Sequence, residues 1–244
     1  MMKAIKLVLI YFLMQIAGGV VLFPLMFVAV PEGLLIGLAL LVGCLFMTVY
    51  LRKKGYLKND GRIFSPVSAA FLGWSLLAGV SVIFLEDLLL SNLRFLPNLT
   101  EQTFDAMQSG WVGILAIALV GPVVEEFLFR GAITKVLLQS YSPQAAILLS
   151  ALVFGVFHLN PVQIVGATLV GLLLAWLYWR TGSLMPGILI HIFNNSLSVY
   201  LSLHYPDVEY MADILPAAPY YGLLAVAAAL LCISVKVLTK KTKE

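Results

Sequence analysis

The sequence predicts an all-α fold, a polytopic membrane helix bundle of about eight transmembrane helices. Three observations predict it. The chain is 61% hydrophobic and only 11% charged, with mean hydropathy +1.01, against about 45–50% and about 25% in soluble domains. Apolar runs near the roughly 18–20 residues needed to cross a bilayer recur along its length. The basic residues fall at alternate ends of those runs. Such close spacing leaves room for one membrane domain over 1–244 and no separate soluble one.

The spans are expected at about 7–29, 33–51, 66–85, 111–131, 143–159, 162–180, 184–203 and 219–238. The first follows Lys3 and Lys6 as a signal peptide would. It is too long for one and lacks a small-residue cleavage site, so it reads as a retained anchor. The loop RKKGYLKNDGR, 52–62, is basic and suits a solvated or headgroup-facing position. The stretch 92–110 reads as an amphipathic helix on the outer surface. The turn between the fourth and fifth spans falls at Ser140-Tyr141-Ser142-Pro143.

Charge sets the orientation. With the N-terminus cytoplasmic and eight spans alternating, Lys3, Lys6, Arg52, Lys53, Lys54, Lys58, Arg62, Arg130, Lys135, Arg180, Lys236, Lys240, Lys241 and Lys243 lie at or beyond cytoplasmic ends, and only Arg94 lies outside. The outer loops instead receive Glu32, Glu86, Asp87, Glu101, Asp105, Asp207, Glu209 and Asp213. Both termini are therefore expected to be cytoplasmic, in a multi-pass protein of the cell membrane. The net charge of +3 describes topology and gives no sign of a nucleic-acid partner. Cys44 and Cys232 have no metal-site spacing and read as buried free thiols in apolar spans. The C-terminal KKTKE is not a prenylation box.

Polar residues inside spans are costly and hence informative. Of twelve acidic residues only Glu125 and Glu126, in GPVVEEFLFRG, lie well inside an expected span; His158 and His191 also lie in or at the end of apolar helices. Glu126 and Arg130 are i,i+4 partners, so the arginine can hold that carboxylate ionised. Glu125 is turned about 100° away and can point elsewhere. FGVFH pairs Phe154 with His158, and HIFNN pairs His191 with Asn195, at the same spacing.

Glu125 and His158 are nearly equidistant from the 140–143 turn, so antiparallel helices would hold them at similar depth. With Arg130 snorkelling to the cytoplasmic interface, that depth is about 8–10 Å. His191 comes out comparable. Asn160-Pro161 should end the fifth helix directly after His158, and irregular backbone at depth suits a buried or water-lined cavity. Pro122 should free the carbonyl of Ala118 and kink its helix. Each pair has a plain structural reading: an ion pair, an interhelical hydrogen-bonder, polar glue between helices.

Taken together, EEFLFR, FGVFH and HIFNN match EExxxR, FxxxH and HxxxN motifs in that order, with RTGSLMPGILIHIFNN adding further similarity. Over about 115–200, within a core of about 111–203, the chain resembles the CAAX protease and bacteriocin-processing family (CPBP, or Abi) of intramembrane glutamate proteases. The resemblance implies an intramembrane endopeptidase that cleaves a membrane-associated peptide or protein. It implies that Glu125 and His158 hold and activate a water, that His191 and Asn195 stabilise the oxyanion, and that Glu126 and Arg130 support the site. The residue chemistry agrees: a desolvated glutamate approaches the pKa of a base near neutral pH, and His and Asn can donate to an oxyanion.

No cofactor is expected. The rival within the same chemistry is a zinc enzyme, since two histidines and a carboxylate are also a zinc ligand set. The rivals outside it are a proton-relay transporter and a non-catalytic immunity or partner-binding protein; the intact motif set and the absence of twin repeats argue against them. The partners expected are the lipid bilayer and a membrane-associated substrate.

Overall fold

The computed structural model describes residues 1–58 and 63–241. Arg62 and Lys243, both assigned to the cytoplasmic side above, and Asn59 to Gly61 of the basic loop lie outside them. Nothing in the described chain is a strand. The helices are α1 (Met2–Leu22, prolonged by a 3-10 turn Phe23–Phe27), α2 (Glu32–Lys53), α3 (Ala69–Ser91) and α4 (Glu101–Gln108). There follow α5 (Trp111–Leu138), α6 (Pro143–Phe157), α7 (Pro161–Thr181), α8 (Met185–His204) and α9 (Ala217–Lys241).

All eight expected spans are helices, but only six are long and apolar enough to cross a membrane by length and composition: α1, α2, α3, α5, α7 and α9. Helix α6 has 15 residues and is shorter than a span. Helix α8 is 20 residues long and is diluted by His191, Asn194, Asn195 and His204. Helix α8 thus loses membrane signal to its motif residues, whereas α6 is strongly apolar and only short.

Local chemistry accounts for the ends. Ser68 and Ser142 cap α3 and α6 by accepting from Phe71 N and Ala145 N. Pro143 and Pro161 sit in first turns, where the missing N–H costs nothing. Gly182 takes a left-handed φ of 68° to end α7. Two boundaries correct the sequence reading. Helix α3 runs on to Ser91, so Glu86 and Asp87 are helical and not in a loop. Between α3 and α5 the amphipathic segment condenses to the eight residues of α4.

Helix α5 is the most buried of the six long helices: 56% of its most apolar window is inside the bundle, against 17% for α1. Helices α6 and α7 form a close antiparallel pair, as do α1 and α2, and α9 packs on α3. Cys44 is buried as expected, but Cys232 is exposed, because only 22% of the most apolar window of α9 lies inside the bundle. Helix α8 meets α3, α5 and α7. Arg94, the lone basic residue assigned to the outer side, donates to Asp213 Oδ1 at 2.7 Å and lies over the Tyr210 ring. That hydrogen bond holds the Asp213 carboxyl below its usual range.

Candidate active site

Helix α5 departs from regular α-helix on either side of the two glutamates. π-helical turns at Ala116–Val120 and Phe129–Thr134 bracket the segment Gly121–Leu128. Such turns shift the hydrogen-bond register by one residue and leave carbonyls for other partners. Gly121 N–H bonds Ala116 O, five residues back. In that register the donor for Ile117 O would be residue 122, and Pro122 has no N–H. The carbonyl freed is thus that of Ile117, one residue before the expected Ala118. Asn195 of α8 takes it, with Nδ2 donating at 2.9 Å.

Glu126 is fully buried and shares one oxygen between two donors. Arg130 Nη1 donates to Glu126 Oε1 at 2.8 Å, and His191 Nδ1 lies 3.0 Å from the same oxygen. Arg130 does not snorkel to an interface. It is sealed in the core, its Nη2 donating to Gly171 O at 3.3 Å and its guanidinium 4.4 Å from the centre of the Phe154 ring. A guanidinium in hydrocarbon is tolerable only with a carboxylate, a carbonyl and an aromatic face around it. The depth inferred from snorkelling therefore falls away, while the i,i+4 ion pair stands.

Glu125 points elsewhere, as helix phase requires. Its Oε2 lies 3.7 Å from His191 Nε2, and its side chain is 16% exposed where that of Glu126 is 0%. His191 thus stands between the two carboxylates, one at each ring nitrogen. The ring nitrogen next to Glu126 is the donor, since a carboxylate partner there only accepts.

His158 caps the C-terminus of α6. Its Nδ1 is 2.8 Å from Phe154 O, which assigns the proton to Nδ1 and leaves Nε2 as an acceptor in the neutral ring. The Phe154 ring stands edge-on to both histidines, with centroids 4.9 Å from His158 and 5.6 Å from His191. No direct hydrogen bond joins Glu125 to His158 among the described residues. Nor, among the described residues, do three His, Cys, Asp or Glu side chains converge as a metal ligand set.

Several contributors carry no motif. Gly187 lies one turn before His191, and a Cβ there would come 2.6 Å from Glu126 Oε2. Its i−4 spacing from His191, in MPGILIH, is the one signal that pointed to it. Gln15 of α1 donates to Cys44 Sγ of α2 at 3.9 Å, and Tyr11 and Cys44 share a buried cluster with Val124 of α5. The first two helices therefore place polar groups beside the segment that carries Glu125. Nothing in their sequence distinguishes those residues from packing.

Residues 107–197 match the family described as "Type II CAAX prenyl endopeptidase Rce1-like". That stretch holds Glu125, Glu126, Arg130, His158, His191 and Asn195. A curated relative, "Putative membrane peptidase YdiL" of Bacillus subtilis (strain 168), is 30% identical over 104 residues. The aligned stretch is 43% of this chain and 43% of that protein, so less than half of either is compared. No solved structure matches. The resemblance to the CAAX protease and bacteriocin-processing family, carried by the three motifs, is borne out.

Proposed function

We propose that this chain, a multi-pass membrane protein similar to CAAX-type membrane endopeptidases, is an intramembrane peptidase that activates water with Glu125 and His158. The observation that carries the reading is the division of labour between adjacent glutamates. Glu126 is locked by Arg130 and by His191 Nδ1, while Glu125 is free of the ion pair and keeps some exposure. A group that must gain and lose a proton needs that freedom, and a group that only orients its neighbours does not.

In the mechanism, a water lies between Glu125 and His158 Nε2. Glu125 takes its proton as the oxygen adds to the scissile carbonyl. Charge develops on the carbonyl oxygen, and donors from His191 and from the second N–H of the Asn195 amide stabilise it. With Nδ1 donating to Glu126, His191 donates through Nε2 only in its doubly protonated form. The proton held by Glu125 then passes to the leaving amine. Glu126 and Arg130 fix the His191 ring. No step is assigned to a metal. The substrate is a membrane-associated peptide or protein, and the positive-inside pattern puts both termini in the cytoplasm.

The test replaces Glu125 with Gln and compares membrane proteomes of cells with the wild-type protein, the variant and neither. A precursor that accumulates both in the null cells and beside normally abundant Glu125→Gln protein supports the reading. Normal processing by the variant refutes it.

A further inference from the structure

The turn His158-Leu159-Asn160-Pro161 is built in an unusual way. Helix α6 tightens at its end, with His158 N–H bonding Gly155 O and Leu159 N–H bonding Val156 O, each three residues back. Leu159 then takes φ 54°, the sole positive φ outside glycine in the described chain. A Cβ makes this left-handed conformation costly, and a non-glycine residue keeps it only where surroundings enforce it. Asn160 follows in extended backbone, φ −119° and ψ 117°, as Pro161 requires of its predecessor.

Asn160 stands at the N-cap of α7, where asparagine is among the preferred residues because its side chain can accept from the first free N–H groups. Here it makes no such bond. Its side chain is fully buried and reaches across to the segment before α4. Asn160 Oδ1 accepts from Leu99 N at 3.0 Å, and Nδ2 donates to Asn98 Oδ1 at 2.9 Å and to Thr100 Oγ1 at 2.8 Å. All three bonds cross about 60 residues of sequence. The asparagine gives up a local cap for a distant clamp, two residues from a strained turn that begins at His158.

We infer that Asn160 is a positioning residue. It clamps the His158 turn to Asn98–Thr100 and so keeps the His158 ring in the orientation in which Nδ1 bonds Phe154 O and Nε2 is left open. Without the clamp, Leu159 relaxes to ordinary φ and the imidazole loses its fixed tautomer. The segment between α3 and α4 thereby acts on the site without touching it. The catalytic consequence rests on the proposed role of His158; the clamp itself does not.

The experiment uses the full chain in lipid nanodiscs with ¹⁵N-labelled histidine, where the three imidazoles report separately. In the wild type, His158 should show almost pure Nδ1–H tautomer. In Asn160→Ala its tautomers should approach an even mixture, while His191 and His204 keep their signals. Asn98→Ala/Thr100→Val removes both acceptors of Nδ2 from a segment remote from the ring, and should shift His158 the same way. This second variant decides the matter if Asn160→Ala does not fold. A folded variant of either kind with a lower Tm and a wild-type His158 signature overturns the inference, since it reduces Asn160 to a structural bond. Neither readout uses proteolysis, so the clamp and the peptidase reading fail separately.

Discussion

Glu126 and His191, 65 residues apart, are joined at 3.0 Å through the same carboxylate oxygen that receives Arg130 at 2.8 Å. One oxygen therefore ties the EExxxR and HxxxN helices together and charges the core with a buried ion pair. Breaking such a pair from one side leaves an uncompensated charge in a dry interior, typically at a cost of about 3–5 kcal/mol.

Accordingly, Arg130→Met and Glu126→Leu alone should each lower stability by about 3–5 kcal/mol, whereas the double variant should lose much less than the sum. Unfolding in detergent, followed by circular dichroism, measures this. Activity should not return in the double variant, because His191 will have lost the partner that orients its ring. Recovery of both stability and processing would show that the ion pair has no part in arranging the site.

Much of this was open to reading in the sequence, for a physical reason. Charged groups in hydrocarbon are so costly that Glu125, Glu126 and Arg130 stand out, and i,i+4 spacing fixes which two can pair. What stayed hidden depends on backbone register. The π turns of α5 have no apolar periodicity to betray them, so Pro122 frees Ile117 O and not Ala118 O. Arg130 looked like a snorkelling residue because nothing local shows that Gly171 O and the Phe154 ring wait for it on α7 and α6. Helix α3 outlasts its apolar run since Asp87 is met by Met211 N and Tyr220 OH, both more than 120 residues away.

Gly187 offers a sharper test of the same core. Its missing Cβ leaves room for Glu126 Oε2, and the added atom in Gly187→Ala would sit 2.6 Å from that oxygen. The carboxylate is held by Arg130 and His191 and cannot swing aside freely. The variant should lose about 1–3 kcal/mol by overpacking, and processing should fall at least about ten-fold as His191 shifts. Gly73→Ala is the control: it meets nothing within 4 Å, and should raise stability by about 0.5–1 kcal/mol through helix propensity.

The proposed metal-free mechanism makes a separate prediction. The zinc alternative needs His158, His191 and a glutamate around one ion, and no three such side chains converge as a ligand set among the described residues. Elemental analysis of the purified protein should give far less than one zinc per chain, and chelators should leave processing unchanged. Stoichiometric zinc with loss of activity on chelation would overturn the metal-free assignment while leaving the peptidase reading intact.

The bond from Asn195 to Ile117 O sets the last test, because one residue is asked to do two things. Its amide replaces the N–H that Pro122 lacks, and its second N–H is the proposed oxyanion donor. Asn195→Ala should therefore cost about 1–3 kcal/mol of stability by orphaning a buried carbonyl, and about 10²–10³ in kcat if the donor role holds. Pro122→Ala restores a backbone N–H that can serve Ile117 O. In that background the stability cost of Asn195→Ala should shrink, while its kcat cost should not. A double-mutant cycle on unfolding and on processing separates the two. If both costs vanish together, Asn195 acts only through the helix it repairs, and the oxyanion must be stabilised by His191 alone.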